Sequence, residues 1–141
     1  MRIFIGSDHG GFALKKEVII FLKEKEIEVV DCGCNSSDSV DYPDFAHKVC
    51  QSVLDQKDAL GILICGTGIG MSIAANRFKG IRAALCHDAF TAKMSREHND
   101  ANILCLGARV LGISVVLDMI DTWLNTAFAG GRHISRLQKM D

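Results

Sequence analysis

Two periods alternate along this chain. Short apolar runs with branched residues occur at Arg2 to Gly6, Glu28 to Cys32, Leu60 to Cys65, Ile81 to Cys86 and Asn102 to Leu106, and these predict strands. Between them, apolar residues recur every three or four positions. From Phe12 to about Lys25, Leu14, Val18, Phe21 and Leu22 share one side, while Lys15, Lys16, Glu17, Lys23, Glu24 and Lys25 are expected in solvent. A second helix is predicted from Tyr42-Pro43-Asp44, where the only proline suits a first turn, to about Leu54. Others are predicted over Met71 to Asn76, Ala89 to Glu97 and Ser114 to Phe128. Gly130-Gly131 then breaks the chain before a last helical piece from Arg132 to Lys139. Strict alternation of strand and helix predicts a single-domain, Rossmann-like α/β/α sandwich with a five-stranded parallel sheet.

The stretch LGILICGTGIG, Leu60 to Gly70, organises the rest. Ile62, Leu63 and Ile64 form an unbroken apolar run, as expected of a strand covered on both faces. Gly66, Gly68 and Gly70, with Thr67 and Ile69 between them, let the main chain turn tightly into a helix and aim N–H groups at a guest, a cradle for negative charge. The spacing lacks the dinucleotide fingerprint, and no Lys-Ser or Lys-Thr follows as in a P-loop, so an anion is indicated but not a nucleotide. Cys65 sits on the lip of this turn. A thiol beside a helix start ionises more readily than a free one, which suits it to removing a proton or attacking carbon. The competing role, an inert core thiol, fits Cys86 and Cys105 better.

Parallel sheets of this kind bind ligands beyond the carboxyl ends of their strands, and Asp8, His9, Cys65, Thr67 and Arg109 all fall on that edge. Each has a plainer alternative. Asp8 could serve only to cap the first helix, and Tyr42 could pack at a helix start instead of lining the site. His98, in Arg96-Glu97-His98-Asn99-Asp100, could be a dipole partner at a helix end. Arg132 and Arg136, four apart, share a helix face, either as a phosphate clamp or as a solvated basic surface. Val116, Ile120, Trp123, Leu124 and Phe128 cover more than one stripe, for the core or for another copy of the chain.

Composition narrows the classes. At 141 residues the chain is expected to be one domain with one main site. Its formal charge of −1, from 16 basic and 17 acidic side chains, provides no field to attract nucleic acid or an anionic membrane. No apolar run approaches the ~18 residues that span a bilayer, and strand character begins at the first residues, so a cytoplasmic protein without a leader is expected. Six cysteines, at 32, 34, 50, 65, 86 and 105, include no Cys-x-x-Cys, and Cys32 and Cys34 lack partners at metal-ligand spacing.

Gly6-Ser-Asp-His-Gly-Gly, Asp41-Tyr-Pro, Ile64-Cys-Gly-Thr-Gly-Ile-Gly-Met, Ser95-Arg-Glu-His-Asn-Asp and Gly130-Gly-Arg-His with Arg136 resemble ribose-5-phosphate isomerase type B, in order over essentially the whole chain. The resemblance implies an aldose–ketose isomerase of the non-oxidative pentose phosphate pathway, interconverting ribose 5-phosphate and ribulose 5-phosphate without metal or organic cofactor. It implies Cys65 as the base that shuttles a proton between C1 and C2. His98 is implied as the acid/base that opens the furanose ring, with Thr67 and Asp8 nearby. It assigns the amides of residues 66 to 70 to the enediolate oxygens, and His9, Arg109, Arg132 and Arg136 to the phosphate. It further implies a homodimer at least, with His98, Asn99 and Arg109 coming from the partner. Two alternatives use the same residues differently: an isomerase for a six-carbon sugar phosphate such as allose or galactose 6-phosphate, and a nucleotide-binding module in which Asp31 reads a ribose. Against the module, the charge of Asp8 would repel a pyrophosphate beside it.

Overall fold

A computed structural model describes all 141 residues. Five parallel strands, β1 (Arg2–Ser7), β2 (Glu28–Asp31), β3 (Leu60–Cys65), β4 (Ala83–Leu85) and β5 (Ile103–Gly107), form one sheet in the order β2-β1-β3-β5-β4. Six α-helices alternate with them: α1 (Phe12–Glu24), α2 (Tyr42–Asp55), α3 (Ile69–Ala75), α4 (Ala89–Glu97), α5 (Ile113–Leu124) and α6 (His133–Gln138). The architecture is the α/β sandwich that the alternation predicts, and no helix is long and apolar enough to cross a membrane.

Because successive strand residues point to opposite faces, each central strand feeds two cores. Ile3, Ile5, Ile62, Ile64, Leu104 and Leu106 face α1, α4 and α5, meeting Val18, Leu22, Ala92, Val116 and Trp123. Phe4, Leu63, Cys65, Ile103 and Cys105 face α2 and α3, meeting Val49, Cys50, Met71 and Ala75. The helix starts follow from local chemistry. Pro43 occupies the first turn of α2, and Asp88 and Thr91 form a reciprocal capping box on α4, with Asp88 accepting from the Thr91 N–H at 2.7 Å.

Several expectations are corrected. Lys15 is not solvated but fully buried. Its ammonium donates to Asp31 Oδ1 and to the Cys34 carbonyl, both at 2.6 Å, so the end of β2 and the loop after it turn a helix cation inward. That also occupies Asp31, the residue a nucleotide-binding module would need for a ribose. The long helix stops at Leu124 and not at Phe128: the Thr126 N–H turns to the Trp123 carbonyl at 3.4 Å, and the Ala129 N–H is taken by the Glu97 carbonyl of α4 at 3.0 Å. β4 is confined to Ala83–Leu85, since the Arg82 N–H is taken by the Asn102 side chain at 2.8 Å. In α5 Val116, Met119, Ile120 and Trp123 are core, while Ile113 and Val115 stay exposed.

Candidate active site

The sheet changes direction between β1 and β3. The chain leaves β1 to build β2 on one side and returns to build β3 on the other, opening a crevice beyond the carboxyl ends of these two neighbours. Ser7 and Ile64 are paired at the top of that register. From there β1 runs into Asp8 and His9, and β3 into Cys65 and the glycine turn, so the two loops lie side by side. A Cβ added to Gly11 would stand 2.7 Å from the Ile64 carbonyl oxygen, and one on Gly10 would stand 3.6 Å from the Gly66 nitrogen.

Within the glycine turn, Gly68 adopts φ +79°, a left-handed conformation that brings its N–H back to the Cys65 sulfur at 3.1 Å. The Ile69 N–H is held by Thr67 Oγ1 at 3.2 Å. Two of the turn's amides are therefore engaged inside it, a detail that the spacing alone did not disclose. The amides of Gly66, Thr67 and Gly70 donate to no group of the chain. Cys65 itself is 6 % exposed, less open than a position on the lip of the turn implies, so a substrate must seat directly on the turn to reach the sulfur.

The other thiols differ in character. Burial pushes Cys32, Cys86 and Cys105 up from the ordinary thiol range and Cys50 to about 12, keeping all four protonated at neutral pH. All six cysteines are free. Cys34 is a buried packing residue whose sulfur donates to the Ser36 carbonyl at 3.3 Å.

Around the turn, Asp8 caps a short 3-10 turn (His9–Gly11), with Oδ1 accepting from the Gly10 N–H at 2.9 Å and the Gly11 N–H at 3.2 Å. Capping is thus one of its roles, and Oδ2 accepts nothing from the chain. His9 is exposed, and its Nδ1 accepts the Val40 N–H at 3.2 Å, which leaves Nε2 as the ring atom that carries a proton outward. Tyr42 stands at the helix start. It opens α2, and its ring lies across Gly70, where an added Cβ would meet Cε1 at 2.6 Å. Arg109 covers Gly66 of its own chain, with its Cδ 3.4 Å from the position of an added Cβ.

The remaining candidates are elsewhere. His98 caps the carboxyl end of α4 and Asn99 follows it, which puts both at the amino edge of the sheet near the start of β5. Ile103 pairs with Gly61 and Gly107 with Cys65, so roughly 13 Å of strand, at about 3.3 Å per residue, separates the two edges. α4 also packs on the sheet face opposite to the one Cys65 points into. Arg132 and Arg136 go with His98. The His133 ring stacks on the His98 ring at 4.4 Å, the Ala129 N–H donates to the Glu97 carbonyl at 3.0 Å, and both arginines are exposed without a carboxylate partner. A cleft of about 660 Å³ also lies at this amino edge, between Arg77, Arg82, Asn99 and Met140, and holds no reacting thiol.

A buried thiol hydrogen-bonded at a glycine turn, beside a carboxylate and unpaired amides, is equipped for proton transfer at carbon next to a carbonyl. The sequence profile of the Ribose/Galactose Isomerase family matches residues 3–140. The chain belongs to this family. Among solved structures, ribose-5-phosphate isomerase B of Clostridium thermocellum is 56 % identical with a TM-score of 0.97, over 99 % of this chain and 95 % of that one. A ribose 5-phosphate isomerase of Thermotoga maritima is 53 % identical, also with a TM-score of 0.97, over 99 % and 97 %. Ribose-5-phosphate isomerase B of Escherichia coli is 46 % identical over 97 % of this chain and 92 % of its own length. For a member of the ribose/galactose isomerase family, the split of the candidates between two sheet edges is the main geometric finding. The edge each group occupies follows from the parallel alternation, since every helix returns the chain to the amino edge; strand order adds which loops are neighbours along an edge.

Proposed function

We propose that the chain interconverts ribose 5-phosphate and ribulose 5-phosphate through an enediolate, a step of the non-oxidative pentose phosphate pathway. The observation that carries this reading is the Cys65 sulfur held by the Gly68 N–H at 3.1 Å beside the free amides of Gly66, Thr67 and Gly70. The Cys65 thiolate takes the proton from C2 of the open-chain aldose, the C2 electron pair forms the C1–C2 double bond, and the carbonyl electrons move to O1. Returning the proton to C1 while O2 becomes the carbonyl completes the ketose. Fixed amide donors aimed at the growing negative charge lower such a barrier by about 3 to 4 kcal/mol each. Asp8, through its free oxygen, and Thr67 move hydroxyl protons between O1 and O2. These are proton transfers alone, and the reading includes no metal and no organic cofactor.

His98 gives a proton to the ring oxygen to open the furanose, and His9, Arg109, Arg132 and Arg136 hold the phosphate. Because His98, Asn99, Arg132 and Arg136 stand at the edge away from Cys65, they act in this reading at the site of a second copy, in a homodimer or a larger homo-oligomer. Exposed Ile69, Ile73, Phe90 and Val110, all on segments leaving the carboxyl edge, supply apolar surface for such a contact. Turnover of ribose 5-phosphate by the purified, chelator-treated chain is compared with that of allose 6-phosphate and galactose 6-phosphate. Preference for the five-carbon sugar is expected; preference for a six-carbon sugar overturns the substrate, and inactivity on all three overturns the reaction.

A further inference from the structure

We infer that Asp100, clamped between Arg82 and Arg96, is a positioning residue for the reaction, acting by fixing the turn that presents His98 and Asn99. The inference rests on the isomerase reading above. Asp100 has φ +46°, a left-handed conformation that a non-glycine residue adopts only at a cost of about 1–2 kcal/mol. The turn is held there from both sides. Arg82 donates from Nε to the Asp100 carbonyl at 2.9 Å and from a terminal nitrogen to Oδ2 at 3.2 Å. Arg96 donates to Oδ1 at 3.2 Å and to the Ala101 carbonyl at 2.6 Å.

Both arginines are themselves held, Arg82 through its main chain and Arg96 through its guanidinium. The Arg82 N–H donates to the Asn102 side chain at 2.8 Å, and the Arg82 carbonyl accepts the Asn102 N–H at 3.1 Å. The Arg96 guanidinium lies 5.8 Å from the ring centre of Trp123, a fully buried core residue. All three charged side chains are partly buried, at 22 %, 15 % and 34 % exposed, so solvent screens the cluster less than it screens a surface ion pair.

What the clamp holds makes it functional in character. Asn99 is exposed and its side chain bonds to nothing in the chain. His98 touches its surroundings through the stacked His133 ring and, at 3.9 Å, the Glu97 carboxylate. A rigid turn that carries a free Asn99 side chain beside a His98 ring held by stacking, far from its own Cys65, is suited to present those groups to a separate target. A displacement of 1 Å at such a tip lowers a proton-transfer rate about 100-fold. The two arginines converge on the one carboxylate that directly follows His98 and Asn99, so the clamp sets the position of both.

The test compares Asp100→Ala and Asp100→Asn in the full-length protein. Asp100→Ala is expected to remain folded by thermal unfolding and to lose about 100-fold in kcat for ribose 5-phosphate, with KM less affected. It should keep deuterium exchange at C1 of ribulose 5-phosphate in D2O within a few-fold, because that open-chain ketose needs Cys65 and no ring opening. Asp100→Asn, which tolerates left-handed backbone and retains an acceptor, should recover most of the turnover. Mixed oligomers of Asp100→Ala and Cys65→Ala subunits, isolated through two different tags, should regain about half of the wild-type turnover per dimer, since one of the two sites then has both a sulfur and a well-presented His98. Turnover within threefold of wild type in folded Asp100→Ala overturns the inference, and so does parallel loss of turnover and exchange without recovery in the mixed oligomer. Should Asp100→Ala fail to fold, Arg82→Gln is put through the same measurements with the same two outcomes. A wild-type chain that does not isomerise ribose 5-phosphate overturns instead the reading beneath.

Discussion

Replacing Gly68 by alanine tests the glycine turn as a device. The residue has φ +79°, where an L side chain costs about 1–2 kcal/mol. Its new Cβ would stand 2.6 Å from Leu85 Cδ1, a methyl that can swing away, but also 2.9 Å and 3.1 Å from the Leu106 carbonyl carbon and Cα, which are strand backbone and cannot. Forcing an extra carbon into a packed place costs about 1–3 kcal/mol, which with the backbone cost gives a destabilisation of about 2–5 kcal/mol. Unfolding entropy of about 2.1 cal/mol/K per residue over 141 residues is about 0.3 kcal/mol/K, so Tm should fall by about 7–17 °C. The turn can relieve the clash only by moving off β5, which carries the Gly68 N–H away from the Cys65 sulfur, so kcat should fall together with Tm. Gly112→Ala is the control: nothing lies within 4 Å of its added Cβ and its φ of −77° is ordinary, so less than about 1 kcal/mol is expected. Calorimetric unfolding with a ribose 5-phosphate assay reads both effects. A Gly68→Ala chain with unchanged Tm and turnover would refute the view that the turn is sterically pinned to β5 and that this pinning sets the thiol's hydrogen bond.

Cys65→Ala should lower turnover by about 10²–10⁴-fold while calorimetric affinity for ribose 5-phosphate stays within a few-fold; retained turnover removes the sulfur as base. Lys15 and Asp31 should respond unequally, because their side chains are 1 % and 42 % exposed. Lys15→Met, which leaves a carboxylate that water can reach, should cost about 1–3 kcal/mol in denaturant unfolding, whereas Asp31→Ala strands a buried cation and should cost about 3–5 kcal/mol; the reverse order contradicts the buried-cation account. His133 is held below the ordinary imidazole range by its partial burial first, then by His98, Arg132 and Arg136, against a smaller opposing effect of Glu97. The unfolded chain therefore takes up a proton near pH 6.5 that the folded chain resists, and stability falls as pH drops from about 7 through that value. His133→Gln should flatten this part of the pH–stability curve, and a slope as steep as in the wild type would show that another group causes it.

Much was determined by the residues in order. The alternation of strand and helix, the apolar run into Cys65, the three spaced glycines and the proline at the start of α2 act within one or two turns of chain, and local sterics suffice to specify them. Asp8, His9, Thr67 and Arg109 were legible for the same reason, since each lies at or just after a strand end. Other features depended on partners distant in sequence. Lys15 reads as one more solvated helix cation until Asp31 and the Cys34 carbonyl, sixteen and nineteen positions away, turn it into the core. The helix expected to run to Phe128 ends at Leu124, with the Ala129 N–H taken by the Glu97 carbonyl of α4, and no hydrophobic period records such a contact. Strand order, above all, decided which loops are neighbours: it placed β1 beside β3 and so gathered the sulfur, the carboxylate and the amides in one crevice, while the parallel alternation had already put His98, at the end of α4, on the opposite edge. A motif gives distance along the chain, but only the packing of the strands converts it into distance in space.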